Sequence, residues 1–153
     1  MSPFAILWPT FAMVALVFTV WTVLVVRRLR HISASPPTRE TFASGEAARR
    51  YFEPVEFPAH NLANLFEMPV LFFALVPLLV ISGQVGVAQV LLAWIFVAAR
   101  GVHSWIHVGR NAVPRRFRAY VVSVAVLAAM WIGFFVDCVA AARHVARIGG
   151  MVA

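Results

Sequence analysis

Apolar side chains in this chain come in long runs, without the regular polar interruptions of a domain that keeps one face in water. A helix that crosses a bilayer needs about 20 consecutive, mostly apolar residues. Four stretches meet that requirement: Pro3–Val26, Ala59–Ile81, Val85 to about Val108, and Tyr120 to about Ala142. Together they use most of the 153 residues, so the pattern predicts one all-α membrane domain, residues 1–153, built as a bundle of four transmembrane helices. Residues 27–58 form the one long connector. Within it Ser33–Thr38 contains Ser-Pro-Pro and should be irregular, whereas Ser44–Phe52 reads as a short helix capped by Ser44. The connector is expected to lie along the membrane surface, its arginines near anionic lipid.

Composition agrees with the pattern, since 62% of the residues are hydrophobic and only 12% are charged. No basic residue precedes the first apolar run, and that run is longer than the apolar region of a secretory signal, so it is read as a retained helix. The single cysteine, Cys138, falls inside the fourth stretch, where it cannot form an intrachain disulfide and reads as a small buried residue. A net charge of +7 from thirteen arginines and no lysine would suggest nucleic acid in a soluble protein. Here the arginines sit mostly in two loops: Arg27, Arg28, Arg30, Arg39, Arg49 and Arg50 between the first two spans, and Arg110, Arg115, Arg116 and Arg118 between the last two. Positive residues in short loops mark the cytoplasmic side, which puts both termini outside and leaves no call for a nucleic-acid partner. Abundant arginine and an uncharged Ser82–Val85 loop suggest a bacterial inner membrane.

Polar groups inside the spans are few. Span two opens with His60, Asn61 and Asn64, reaches Glu67, and carries Pro69 and Pro77, so it should be the most polar and most kinked helix. At 100° per residue His60, Asn64 and Glu67 share one face, and Arg100, His103, His107 and Asn111 form a matching stripe on span three. Glu67 lies roughly 13 Å, and Arg100 roughly 15 Å, from the inner ends of their helices. Either charge alone at that depth costs about 2.5 to 3.5 kcal/mol on an insertion scale, so the two are expected to pair directly across the interface. Below them His60, Asn64, His103 and His107 would line a polar space that widens toward the cytoplasm. The His103-x-x-x-His107 spacing suits a shared metal ion, but no third ligand lies at a spacing that completes a site, so no metal is expected. Arg110, Arg115, Arg116 and Arg118 crowd the start of span four, where positive charge opposes the helix dipole. An anion relieves that strain, and the phosphate of membrane lipid is the simplest one.

Residues Asn64-Leu-Phe-Glu67-Met-Pro69-Val-Leu-Phe72, together with Arg100 and the His103/His107 stripe, resemble a motif of the MAPEG superfamily, the membrane-associated proteins in eicosanoid and glutathione metabolism. The resemblance covers nearly the whole chain in length and span count. It implies a homotrimer of four-helix subunits that binds glutathione as co-substrate near the cytoplasmic helix ends. It also implies that Arg115 or Arg116 stabilises the glutathione thiolate, while His60, Asn64, Glu67, Arg100, His103 and His107 position the tripeptide. The activity so implied is a glutathione-dependent transferase or peroxidase acting on a hydrophobic electrophile that enters from the bilayer. The sequence departs from the family pattern in having His60 where an arginine is usual, Met68 where a tyrosine follows the glutamate, and His103 and His107 at two tyrosine places. Those departures keep a second expectation open, a non-enzymatic membrane protein of the same fold that binds lipid or serves a structural role. A small transport or channel subunit is a weaker third, because the interrupted repeats of secondary transporters are missing.

Overall fold

The computed structural model describes residues 2–152, with side chains through Arg147. Its helices are α1 (Leu7–Ala34), α2 (Gly45–Phe52), α3 (Phe57–Leu65), α4 (Pro69–Ile81), α5 (Val87–Val108) and α6 (Val113–Val152), and no strand occurs among the described residues. Four segments are long and apolar enough to cross a membrane: Pro3–Ala34, Phe57–Ile81, Val87–Val108 and Val113–Arg147. The protein is therefore an integral, multi-pass, all-α bundle.

Each helix starts and stops where its residues dictate. A 3-10 turn, Pro3–Ile6, leads into α1, with the Ser2 hydroxyl accepting from the Phe4 amide at 3.3 Å. Pro9 falls in the first turn of α1, where backbone amides have no helical acceptor to lose. Thr10, Thr19 and Thr22 donate their hydroxyls to carbonyls four residues back, at 2.9, 2.7 and 2.8 Å, so none presents an unpaired donor to lipid. α1 runs on through Ser33 and Ala34, and the irregular segment that Ser-Pro-Pro demands begins only at Ser35. α2 is capped by Ser44, whose hydroxyl accepts from the Ala47 amide at 3.1 Å, as its sequence predicts. The α4–α5 turn is closed by Gly83 at φ 69°, with the Gly83 amide bonded to Val80 O at 3.2 Å and the Gln84 amide to Leu79 O at 2.9 Å. That pair of reverse bonds needs a left-handed residue, for which glycine carries no steric cost.

The long connector folds back onto the end of α1. Arg28 forms a two-pronged ion pair with Glu56 and lies 4.7 Å from the centre of the Phe52 ring. His31 Nε2 bonds the Tyr51 carbonyl at 2.8 Å, and the Tyr51 hydroxyl donates to the Ser35 carbonyl at 2.5 Å. The connector is thus a clasp of specific contacts that returns the chain to α3.

α5 is the axis of the bundle, packing most extensively on α6 and also on α1 and α3. Phe72 of α4 and Phe96 of α5, both fully buried, stack with centroids 4.9 Å apart amid Leu65, Leu75, Leu79, Ala93 and Met130. Lipid is as apolar as these side chains, so helix association depends on close packing and interhelical hydrogen bonds. Gln89 supplies one, donating from Nε2 to the Met130 carbonyl at 3.0 Å. Gly133 makes room for it, since a Cβ there would meet Gln89 Nε2 at 3.2 Å. Cys138, expected to be simply a small buried residue, is half-buried and donates its thiol to Gln84 Oε1 at 3.6 Å.

Candidate functional site

The second span does not continue as one helix through its polar residues. α3 ends at Leu65, Phe66–Met68 form a turn, and α4 restarts at Pro69. Proline at 69 has no amide to give to the Leu65 carbonyl, and its ring would collide with that carbonyl in a continuous helix. The break alters the geometry that a steady 100° per residue assigns to Glu67.

Glu67 and Arg100 do not form the direct ion pair expected of them. Asn64 stands between: Arg100 Nη2 donates to Asn64 Oδ1 at 2.6 Å and to the Asn64 carbonyl at 3.0 Å, while Asn64 Nδ2 donates to Glu67 Oε2 at 3.0 Å. Arg100 is fully buried and Glu67 is exposed, so the amide links an interior cation to a surface carboxylate. The Asn64 carbonyl is free to accept because the turn at Phe66 leaves it only a long, 3.5 Å bond from the Glu67 amide. Arg100 also lies 5.8 Å from the centre of the Tyr120 ring on α6, within cation–π range.

Arg100, His103 and His107 do share one buried face of α5, as their spacing predicts. His103 Nδ1 donates to the Arg116 carbonyl at 3.1 Å, and the His103 and His107 rings meet edge to face at 5.5 Å. The expected widening space beneath them is instead partly filled by Asn61 and Ser104, both buried, whose side chains bond at 3.3 Å. His60 lies exposed at the rim, outside the network. Of the eight buried side-chain polar atoms without a partner among the described residues, five belong to this group: Asn61 Nδ2, Arg100 Nε, Arg100 Nη1, His103 Nε2 and His107 Nδ1. Buried polar atoms are nearly always paired, so these open positions are where ordered water or a polar ligand would find hydrogen-bond partners.

The two adjacent arginines part company. Arg116 turns to the histidine side, its Nη1 donating to Asn111 Oδ1 at 2.6 Å, and Asn111 holds the left-handed φ of 48° that closes the α5–α6 turn. Arg115 faces the other way, into a cavity of about 680 Å³ between α1 and α5 that Arg27 and Arg110 also border. No group of three or more His, Cys, Asp or Glu side chains gathers at one point among the described residues.

Sequence reasoning passed over Asn61, Ser104 and Tyr120 as site residues. A signal for two of them exists, because Ser104 is four residues from Arg100 and Asn61 three from Asn64, within one turn of the polar stripes. Tyr120 carries no such mark; only the α5–α6 packing brings its ring over Arg100.

The sequence model of the MAPEG family matches residues 6–136. Neither a curated protein nor a solved structure gives a match.

Proposed function

The chain belongs to the MAPEG family, and from that premise we propose that it is a glutathione-dependent transferase or peroxidase whose second substrate is a hydrophobic electrophile drawn from the bilayer. The observation that carries this reading is the exposed Glu67. A carboxylate roughly 15 Å along its span from Phe57, uncovered in the single chain and bonded only to a neutral amide, has no business facing acyl chains. Covering it with a second subunit that leaves a wet cleft removes the penalty, which supports a site between subunits, and the family resemblance implies that the subunits number three.

In such a cleft the chemistry divides by charge. Glu67, held by Asn64, meets the ammonium of the γ-glutamyl end, and the basic residues at the rim meet the carboxylates. Arg116 is assigned to the thiol in preference to Arg115, because it lies on the side of His103 and His107. A guanidinium beside the sulfur favours loss of its proton, and the thiolate is the nucleophile. Its electron pair forms the new S–C bond, the leaving group or opened ring oxygen takes the displaced pair, and the thiol proton passes to water. The loop arginines support a cleft on the cytoplasmic side with the termini outside, and the same arginine distribution supports a bacterial inner membrane.

A second reading, a non-enzymatic member of the fold, draws on one observation: Arg100 is closed off by Asn64 and Tyr120, as a purely structural clamp would be. Titration calorimetry of glutathione into the detergent-purified chain separates the two. Binding heat that disappears in Arg116→Ala and persists in Arg115→Ala is expected; absence of heat in the parent protein overturns the glutathione reading.

A further inference from the structure

The cavity between α1 and α5 has two kinds of wall. Along its depth it is mostly apolar, bounded by Leu16, Val20 and Val23 on one side and Trp105 and Val108 on the other, and the two hydroxyls on these walls, Thr19 and Ser104, already donate to Ala15 O and Asn61 Oδ1. At one end it is purely basic, with Arg27, Arg110 and Arg115 and no acidic side chain. The ion pairs among the described residues are Arg28–Glu56 and Arg50–Glu46, so none of these three guanidinium groups is neutralised within the chain. Gly101 sits on the α5 wall with nothing within 4 Å of where a Cβ would stand, which keeps the groove open at mid-depth. From Leu16 to Arg27 the groove follows about 16 Å of helix, half the hydrocarbon thickness of a bilayer.

A free anion would satisfy the arginines and leave the apolar walls bare; a neutral alkyl chain would do the reverse. We propose that the α1/α5 groove binds one acyl chain of an anionic phospholipid from the leaflet at the arginine-rich end, its phosphate seated among Arg27, Arg110 and Arg115. The arginines stand where the apolar run of α1 stops and where the α5–α6 turn begins, the depth at which headgroup phosphates lie. Charge and apolar length then match one ligand in one orientation. The binding is independent of the thiol chemistry proposed above, because it draws on neither the Asn64 relay nor Arg116.

Native mass spectrometry of the full chain, released from micelles that contain equal amounts of phosphatidylglycerol and phosphatidylcholine with the same acyl chains, tests this. Preferential retention of phosphatidylglycerol is expected. Retention should fall roughly twenty- to thirtyfold in the Arg27→Ala/Arg115→Ala double variant. It should stay unchanged in Arg49→Ala/Arg50→Ala, which removes equal charge away from the groove. Gly101→Phe, which fills the groove with every arginine in place, should also abolish retention, with Gly101→Leu as the milder form if the first does not fold. Helix content by circular dichroism and a single elution peak certify each variant. Equal retention of both lipids, an equal loss in the Arg49/Arg50 variant, or undiminished retention in folded Gly101→Phe or Gly101→Leu overturns the proposal. So does a groove that holds a second copy of the chain, seen as a change in subunit number on filling it with no lipid retained by the parent.

Discussion

Asn64 is the residue on which the interior network turns, since a single amide answers both Arg100 and Glu67. Removing it strands a buried guanidinium, and an unsatisfied buried donor costs about 1 to 3 kcal/mol, more when charged. Asn64→Ala is therefore expected to lower the thermal unfolding midpoint in detergent by an amount equivalent to at least about 2 kcal/mol. Glu67→Gln, by contrast, changes an exposed side chain that keeps an oxygen acceptor, and should alter stability by less than about 0.5 kcal/mol. A direct Glu67–Arg100 bond would make the two losses similar, so equal shifts would refute the relay. Arg100 was recognisable from the sequence as a charge that must find a partner. The identity of the partner was not, because side chains of similar depth were matched by charge, and a neutral amide with two faces has no charge to match.

At the scale of elements, the four spans and the polar stripe of α5 follow directly from apolar length and helical period. The kink expected of the second span does fall at Pro69, but its being a full break at Phe66–Met68 did not follow, because a proline can bend a helix or end it and only the packing around it decides which. Here the outcome also releases the Asn64 carbonyl to Arg100. Pro69→Ala restores an amide that favours a continuous helix by about 3 kcal/mol in propensity, yet it should not stabilise the fold by that amount, because Arg100 loses an acceptor. The expected signature is slower amide exchange across residues 66–69, and a combined Pro69→Ala/Asn64→Ala loss smaller than the sum of the two. The clasp over the end of α1 is a second element-level prediction. Arg28→Ala removes the ion pair to Glu56 and the contact on Phe52, and should speed hydrogen exchange through Gly45–Phe52 while the spans stay protected. Unchanged exchange in α2 would assign its anchoring to His31 and Tyr51 instead.

Over the whole molecule, much of the surface is apolar and faces outward, with Trp8, Phe11, Phe18, Ile132 and Phe135 all exposed. A bilayer suits that surface, and the proposed cleft between subunits predicts that intact-mass measurement in detergent will show three copies of the chain; a monomer at all concentrations would contradict the shared cleft. Topology can be read with an impermeant maleimide after Cys138→Ser. A cysteine placed at Gly45 should stay unlabelled in intact cells, and one placed at Ser2 should react. The interior has a further consequence. The groups that touch Arg100 are an amide and an aromatic ring, and the carboxylate of Glu67 is linked to it only through Asn64. The middle of the bundle therefore carries a buried positive charge whose nearest carboxylate lies at the surface. The field it sets favours an anion over a cation at the open polar positions beside it.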